Sequence, residues 1–280
     1  MADPEIFDRA LRRLRRDRAA RAPAQFLRAA MLEGIADRLD AVTRQFADVL
    51  DLGCGSLPLT LPYPARIARL DAGFGFARAA GGVQGDEDRL PFGDAHLDLI
   101  VAAGGLDQVN DLPGALALAR RALRPDGLFL AAFAGAGSLE RLRAALRDAE
   151  GERPVARVHP QIDVRAAGDL MLRAGFALPV ADVEPLRVRY AGLDGLLGDL
   201  RALAATNLMR PTPPLTRAGI AHAAAAFAAA ADSDGRVSER FEIVYLTGWA
   251  PDPSQPQPAR RGSATASLDA ALRPRGDAPG

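Results

Sequence analysis

The chain has 280 residues, is 49% hydrophobic and balances 35 basic against 35 acidic residues for a formal net charge of zero. That length and apolar content support a sizeable core. No apolar run approaches the roughly 18 residues of a membrane span, and the balanced charge argues against a general polyanion-binding surface, so nucleic acid is not expected as a main partner. Every basic residue is an arginine and alanine is abundant, which reads first as genome composition. The single cysteine, Cys54, excludes an internal disulfide, and the scattered His96, His159 and His222 leave no ligand cluster for a structural metal. A reducing, intracellular compartment fits.

The N-terminal stretch FDRALRRLRRDRAARAPAQFLRAAM is arginine-rich, but Asp3, Glu5, Asp8 and Asp17 count against a transit peptide, and it lacks the apolar region of a secretion signal. Phe7, Leu11 and Leu14 share one helical stripe, which predicts a surface helix packed by that stripe with its arginines in solvent. Pro23 suits a first helical turn, and 24–39 reads as a second helix. ADVLDL (47–52), RIARLD (66–71) and HLDLIVAAG (96–104) are runs of strand character. LPGALALARRALRPDG (112–127) is helical and closed by a Pro and Gly stop signal, and GLFLAAFAG (127–135) is another strand. SLERLRAALRDAE (138–150) is a helix with Ser138 as a plausible N-cap. A helix over 163–174 follows. The strands 176–190 and 238–250 then flank a largely helical, alanine-rich insertion. Strands alternating with helices predict a parallel sheet covered on both faces. The chain thus divides into N-terminal helices (1–44), an α/β domain (45–250, with a helical insertion at about 191–232) and a Pro-, Ser-, Gln- and Arg-rich tail (251–280) expected to be disordered.

In such a sheet ligands sit beyond the carboxyl ends of the strands, where strand order reverses. Asp51, Gly53 and Gly55 end the first strand. The glycines permit close backbone approach to a ligand and the aspartate can accept from an ammonium group, although a tight strand-to-loop turn uses the same residues. Asp71 ends the second strand twenty residues on, the place for a carboxylate that accepts two ribose hydroxyls. A helix N-cap is its alternative role. Asp86 and Glu87 precede a Leu-Pro-Phe turn, where a carboxylate can accept an adenine amine or form an acidic, solvated turn. Gly104 closes the next strand.

The motif VLDLGCG, then Asp71, then DRLPFGDAHLDLIV and LRPDGLFLAAF resemble the class I S-adenosylmethionine-dependent methyltransferases over about residues 45–190. FDRALRRLRRDRAA, VNDLPGAL, GSLERLRAALRDAE, RAGFALPVADVEPLRVRY and RRGSATASL extend the resemblance to the methyltransferase-like assembly factor of respiratory complex I and its alphaproteobacterial relatives. The resemblance implies a Rossmann-like, doubly wound, seven-stranded sheet whose last strand runs antiparallel. It also implies S-adenosylmethionine as cofactor, with Asp51, Gly53, Gly55, Asp71, Asp86, Glu87 and Gly104 as its site. The implied substrate is a protein, with modification of an arginine during complex I assembly. The implied location is the bacterial cytoplasm, with peripheral contact to the inner membrane through the partner. A small-molecule or acyl-carrier O-methyltransferase of the biotin-synthesis type, and a non-catalytic assembly chaperone, are the alternatives. The assembly-factor resemblance extends through the insertion and RRGSAT (260–265), which are therefore expected to form the partner-docking surface.

Two departures from the family pattern stand out. After Gly55, Pro58, Pro62 and Pro64 cannot continue a helix interior, at about 3 kcal/mol each. The first crossover is therefore predicted to lack a proper helix, which weakens the methionine end of the pocket. Where relatives commonly carry Leu-His-Trp before VNDLP, this chain has Asp107 and Gln108. Asp107 is either an exposed aspartate or, if buried near substrate, a base. His159, in VHPQID, is a loop residue that can face the site. Tyr190, Tyr245 and Trp249 read as strand residues of the core edge. No residue earns the label catalytic from sequence.

Overall fold

The computed structural model describes residues 5–152, 155–209 and 213–256. RRGSAT and most of the expected tail lie outside the described residues. Eight helices and seven strands follow one another as α1 (Arg9–Ala19), α2 (Phe26–Asp40), β1 (Asp48–Leu52), β2 (Arg66–Asp71), α3 (Phe74–Ala79), β3 (Val83–Gln84), β4 (Leu97–Ala103), α4 (Leu112–Ala122), β5 (Leu123–Ala134), α5 (Glu140–Glu150), α6 (Val164–Arg173), β6 (Ala177–Tyr190), α7 (Leu193–Ala202), α8 (Arg217–Ala228) and β7 (Val237–Trp249), counted among the described residues. One seven-stranded sheet has the order β3-β2-β1-β4-β5-β7-β6. The first five strands are parallel, whereas β7 pairs antiparallel with both β5 and β6. This is the doubly wound sheet that the strand and helix alternation predicts.

β4 carries LDLIVAA with every residue buried, as expected of a central strand covered on both faces. Two apolar cores result. One packs α2, α5, α7 and α8 on one face of the sheet, with Ile35, Leu142, Leu196 and Phe227 in it. The other packs α4 and α6 on the opposite face, with Leu116, Ala119 and Met171. Strand order reverses between β1 and β4, so their carboxyl ends splay apart beneath a crevice.

Several element boundaries differ from the sequence expectation for local reasons. Pro23 is not the first turn of α2, which begins at Phe26. α4 stops at Ala122 because Pro125 disfavours helical backbone at Arg124, and the chain enters β5 at Leu123. Ser138 does not cap α5. Leu139 in between adopts a left-handed conformation (φ 59°), and Ser138 Oγ instead accepts from Glu242 N (2.9 Å), fastening the loop to β7. Asp8, Asp111, Asp163 and Thr216 do cap, each accepting a backbone N–H of its own first turn. Between Gly53 and Ala65 there is no helix, as the prolines require. The stretch of residues from 251 to 256, expected as the start of a disordered tail, is tied down by Gln255 Nε2, which donates to Asp126 Oδ1 (3.0 Å) and Ala250 O (2.9 Å).

Candidate active site

β1 delivers Asp51 fully buried at its end, and the chain turns out through Gly53 (φ 71°) and Gly55 (φ 53°), left-handed conformations that glycine adopts without steric cost. A Cβ on Gly53 would lie 2.9 Å from Gly104 O, so the close approach of the β1 and β4 ends requires glycine here. The proline segment supplies no helical amide cluster. Single amides serve instead: Leu59 N donates to Asp51 Oδ2 (2.8 Å), and Gly55 N donates to Asp71 Oδ2 (2.9 Å). Gly73 N completes the backbone contacts of Asp71 at 2.7 Å.

The remaining capacity of these carboxylates is filled by arginines from the N-terminal helices. Arg16 Nε and Nη2 grip Asp71 in a two-point pair at 2.7 and 2.5 Å. Arg12 Nη1 and Nη2 hold Glu87 in the same way, both at 2.6 Å. Arg13 donates to Asp86 (2.6 Å), and Arg9 takes Asp88 with both terminal nitrogens, at 2.7 and 2.6 Å. From α2, Arg28 Nη2 donates to Asp51 (2.7 Å), Nη1 to Gly53 O (2.8 Å) and Ala103 O, and Nε to Leu57 O (2.6 Å).

The expectation for α1 is therefore corrected. Not all of its arginines stand in solvent: those at positions 9, 12, 13 and 16 form one face aimed at the acids beyond β2 and β3, and Arg12 and Arg16 are buried, while Arg13 and Arg18 remain exposed. Leu14, assigned to the packing stripe, is 45% exposed. Four carboxylates crowded at adjacent strand ends need cations more than α1 needs an apolar stripe, and planar guanidinium forks match them.

The electrostatics follow. Burial alone would raise the Asp71 pKa, but the Arg16 charge and hydrogen bonds, with the two backbone amides, hold it below the ordinary carboxylate range. Cys54 is buried beside the same acids, and desolvation followed by the charges of Asp71 and Asp51 pushes its thiol up to about 12. It is not a nucleophile at neutral pH.

A cavity of about 90 Å³ remains in the crevice, with Gly53, Gly55, Gly104, Arg16, Arg28 and Asp107 among its lining residues. The structure thus gathers all seven residues expected to form the site around one crevice, but only the three glycines line the cavity. Asp51, Asp71, Asp86 and Glu87 do not. Ligand pockets run to roughly 300–1,000 Å³, so no nucleoside fits while the arginines are seated.

Beyond β4, Gly104 and Gly105 (φ 86° and 98°) turn the chain into a short 3₁₀ turn, Leu106–Gln108. Asp107 and Gln108 line the cavity from this turn. His159 Nε2 lies 3.8 Å from Asp107 Oδ2, and its ring meets Phe7 edge-on at 5.4 Å. Tyr245 and Tyr190 are core residues, with their hydroxyls donating to Ala30 O (3.2 Å) and Asp199 (2.9 Å). Trp249 is half-buried at the end of β7. Arg12, Arg16 and Arg28 went unrecognised in the sequence. For Arg12 and Arg16 the only signal was the spacing of 9, 12, 13 and 16 on one helical face, which a solvated face shares, and Arg28 on α2 carried none.

Parallel strands in this order, a glycine turn after β1 and acids at successive strand ends define a class I methyltransferase-like fold. Residues 50–131 match the family model of a methyltransferase domain. The chain is 32% identical to the mitochondrial arginine-hydroxylase NDUFAF5 of Danio rerio, over 94% of this chain and 88% of the relative. Human NDUFAF5 is 33% identical over 94% and 82%. A malonyl-[acyl-carrier protein] O-methyltransferase of Methylovorus sp. is 31% identical over 89% and 92%. Among solved structures, the YcgJ protein of Bacillus subtilis superimposes with a TM-score of 0.55 at 16% identity, covering 80% of this chain and 99% of that one, which supports the fold. The chain belongs to the methyltransferase-domain family that contains the NDUFAF5 arginine hydroxylases and the malonyl-carrier O-methyltransferases. No helix among the described residues is long and apolar enough to cross a membrane.

Proposed function

We propose that the protein binds S-adenosylmethionine in the crevice between β1 and β4 and acts on an arginine of a protein partner during assembly of respiratory complex I. The observation that carries the cofactor reading is the donor and acceptor set. Asp71 accepts from two backbone amides that orient it, Glu87 is buried one strand further out, and Gly53 and Gly55 line the cavity in left-handed conformations that bring the β1 backbone close to it. This chemistry fits an adenosine, with Asp71 for the ribose hydroxyls and Asp86 or Glu87 for the adenine amine. Arg16, which lines the cavity of about 90 Å³ and holds Asp71 at two points, must release that carboxylate for a ribose to reach it. Arg28, paired with Asp51 and anchored on three carbonyl oxygens, holds the ends of β1 and β4 together beside the glycine turn. When bound, S-adenosylmethionine supplies an activated methyl group. The chain's own residues hold the cofactor, and Leu27, Met31 and Phe76 wall the crevice from water.

The arginine substrate rests on likeness to the NDUFAF5 proteins over nearly the whole chain. Near-complete coverage of the Methylovorus relative supports a second reading, a carrier-protein O-methyltransferase. Calorimetric titration of adenosylhomocysteine tests the cofactor site. Binding is expected, and Asp71→Ala weakens it by about 2–3 kcal/mol, a charge-assisted hydrogen-bond pair. No binding at millimolar ligand rejects both enzyme readings in favour of an assembly chaperone. A deletion strain with normal complex I levels would reject the assembly role and promote the carrier-protein reading.

A further inference from the structure

Five acids of the crevice are paired with arginine, and Asp107 is a sixth that is not. Its side chain, 9% exposed, lines the cavity, and its nearest charged neighbour among the described residues is His159 at 3.8 Å, beyond hydrogen-bond distance. Beside it Gln108, 5% exposed, gives its amide nitrogen to Ala204 O (3.4 Å), which leaves Oε1 buried with no partner. Behind Asp107, both ring nitrogens of His159 are also buried and unpartnered.

Buried polar atoms without partners are rare, and each asks what completes it. The Gln108 amide oxygen is an acceptor only, so what completes it must bring a donor, and the partly buried Asp107 carboxyl beside it offers further acceptors to the same donor group. The cations that line the cavity do not supply that donor: Arg28 has committed each of its nitrogens to carbonyl oxygens or to Asp51, and Arg16 holds Asp71 with Nε and Nη2. The cavity of about 90 Å³ holds several waters, room for a side-chain head but not for a nucleoside. Adjacent acceptors on one turn suit a planar head with several N–H groups.

We propose that Asp107 and Gln108 form the receptor for the guanidinium head of the acceptor arginine, and so determine the specificity of the site. His159 closes the back of this receptor and reports on the charge of Asp107. The proposal rests on the arginine-substrate reading above and assigns it residues. Both acceptors belong to the turn that follows β4 and line the cavity with Gly53 and Gly104, so a head seated there stands next to the proposed cofactor site and uses none of the acids assigned to adenosine.

The test uses the full chain with isotope-labelled histidine. N-acetyl-arginine amide is titrated in while the ring resonances are followed, with N-acetyl-citrulline amide as neutral isostere and N-acetyl-lysine amide as ammonium control. His96 and His222 are exposed and serve as internal references. The arginine probe is expected to shift the His159 signals saturably, and Asp107→Asn and the citrulline probe each to weaken the response tenfold or more. Asp107→Asn should leave adenosylhomocysteine binding unchanged, which shows that the variant is folded. An undiminished response in Asp107→Asn, equal responses to arginine and citrulline or lysine, or no His159 shift at 100-fold excess of probe would each overturn the receptor. Loss of adenosylhomocysteine binding in the wild type with the probe response intact would reject the cofactor reading and leave the receptor standing.

Discussion

Replacing Arg16 by alanine separates the two roles that the crevice imposes on Asp71. In the wild type the Arg16 side chain is 8% exposed and its two-point grip occupies the oxygens of a fully buried carboxylate, the same oxygens that the proposed adenosine site offers to the ribose hydroxyls. Removing one partner of a buried pair costs about 3–5 kcal/mol because a charge is left uncompensated. Here Gly55 N and Gly73 N still solvate the carboxylate, so the lower end, about 3 kcal/mol, applies. In a chain of this size that lowers the melting temperature by roughly 6–12 °C. The same substitution removes the competitor and opens the cavity. If half or more of the pair's energy opposes adenosine in the wild type, adenosylhomocysteine affinity rises by roughly 1.5–3 kcal/mol, about 10- to 150-fold. Thermal denaturation with and without ligand, supported by calorimetry, reads both quantities. The variant should be the less stable protein without ligand and show the larger ligand-induced stabilisation. Affinity equal to or below that of the wild type would refute the argument, because Arg16 would then be a cofactor contact rather than its competitor. Arg13→Ala is the milder comparison: its side chain is 44% exposed and Asp86 keeps Arg9 Nη1 at 3.5 Å, so both quantities should change less than in Arg16→Ala.

Two further outcomes follow from the charges. Asp71, Asp88 and Asp98 are all held below their ordinary pKa despite desolvation, by Arg16, Arg9 and Arg124 respectively. A depressed folded-state pKa contributes stability that is complete above the unfolded value near 4 and is lost as pH falls through the folded one. Denaturant midpoints should therefore be flat from about pH 7 to pH 5 as far as these groups decide them and drop below about pH 4, with a shallower drop in Asp88→Asn. Cys54, with its thiol raised to about 12, should resist iodoacetamide at pH 8 in the folded protein and react only on unfolding, as followed by intact mass.

What was legible in the sequence was what local chemistry decides. Asp51, Gly53, Gly55 and Asp71 could be placed because an apolar run fixes where a strand ends, and strand ends fix the crevice. The missing crossover helix was legible because Pro58, Pro62 and Pro64 forbid it wherever they stand. Pairing across long sequence separation was not. Arg16 and Asp71 are 55 residues apart, and Arg12 and Glu87 are 75 apart. Nothing in a helical spacing tells an arginine face in water from one on buried acids. The two-residue β3 and the left-handed Leu139 escaped for the opposite reason, since each is settled by a neighbouring element, β2 and β7, rather than by its own residues.

The zero net charge takes on a different meaning once these pairs are known. Read as composition, it excludes a polyanion surface. Read in the structure, part of the balance is internal, because arginines of α1 neutralise Asp71, Asp86, Glu87 and Asp88, acids that include those of the proposed adenosine site. Ribose hydroxyls and an adenine amine are neutral and replace a charged partner poorly, so adenosine binding must include the cost of releasing α1. Coupling of this kind is reciprocal: whatever loosens the α1 pairs strengthens adenosine binding by the same factor, and bound adenosine loosens α1 equally. The affinity of the Arg16→Ala variant therefore measures more than one contact. It reports how far the N-terminal helix, rather than the crevice itself, sets the cofactor affinity of the wild-type chain.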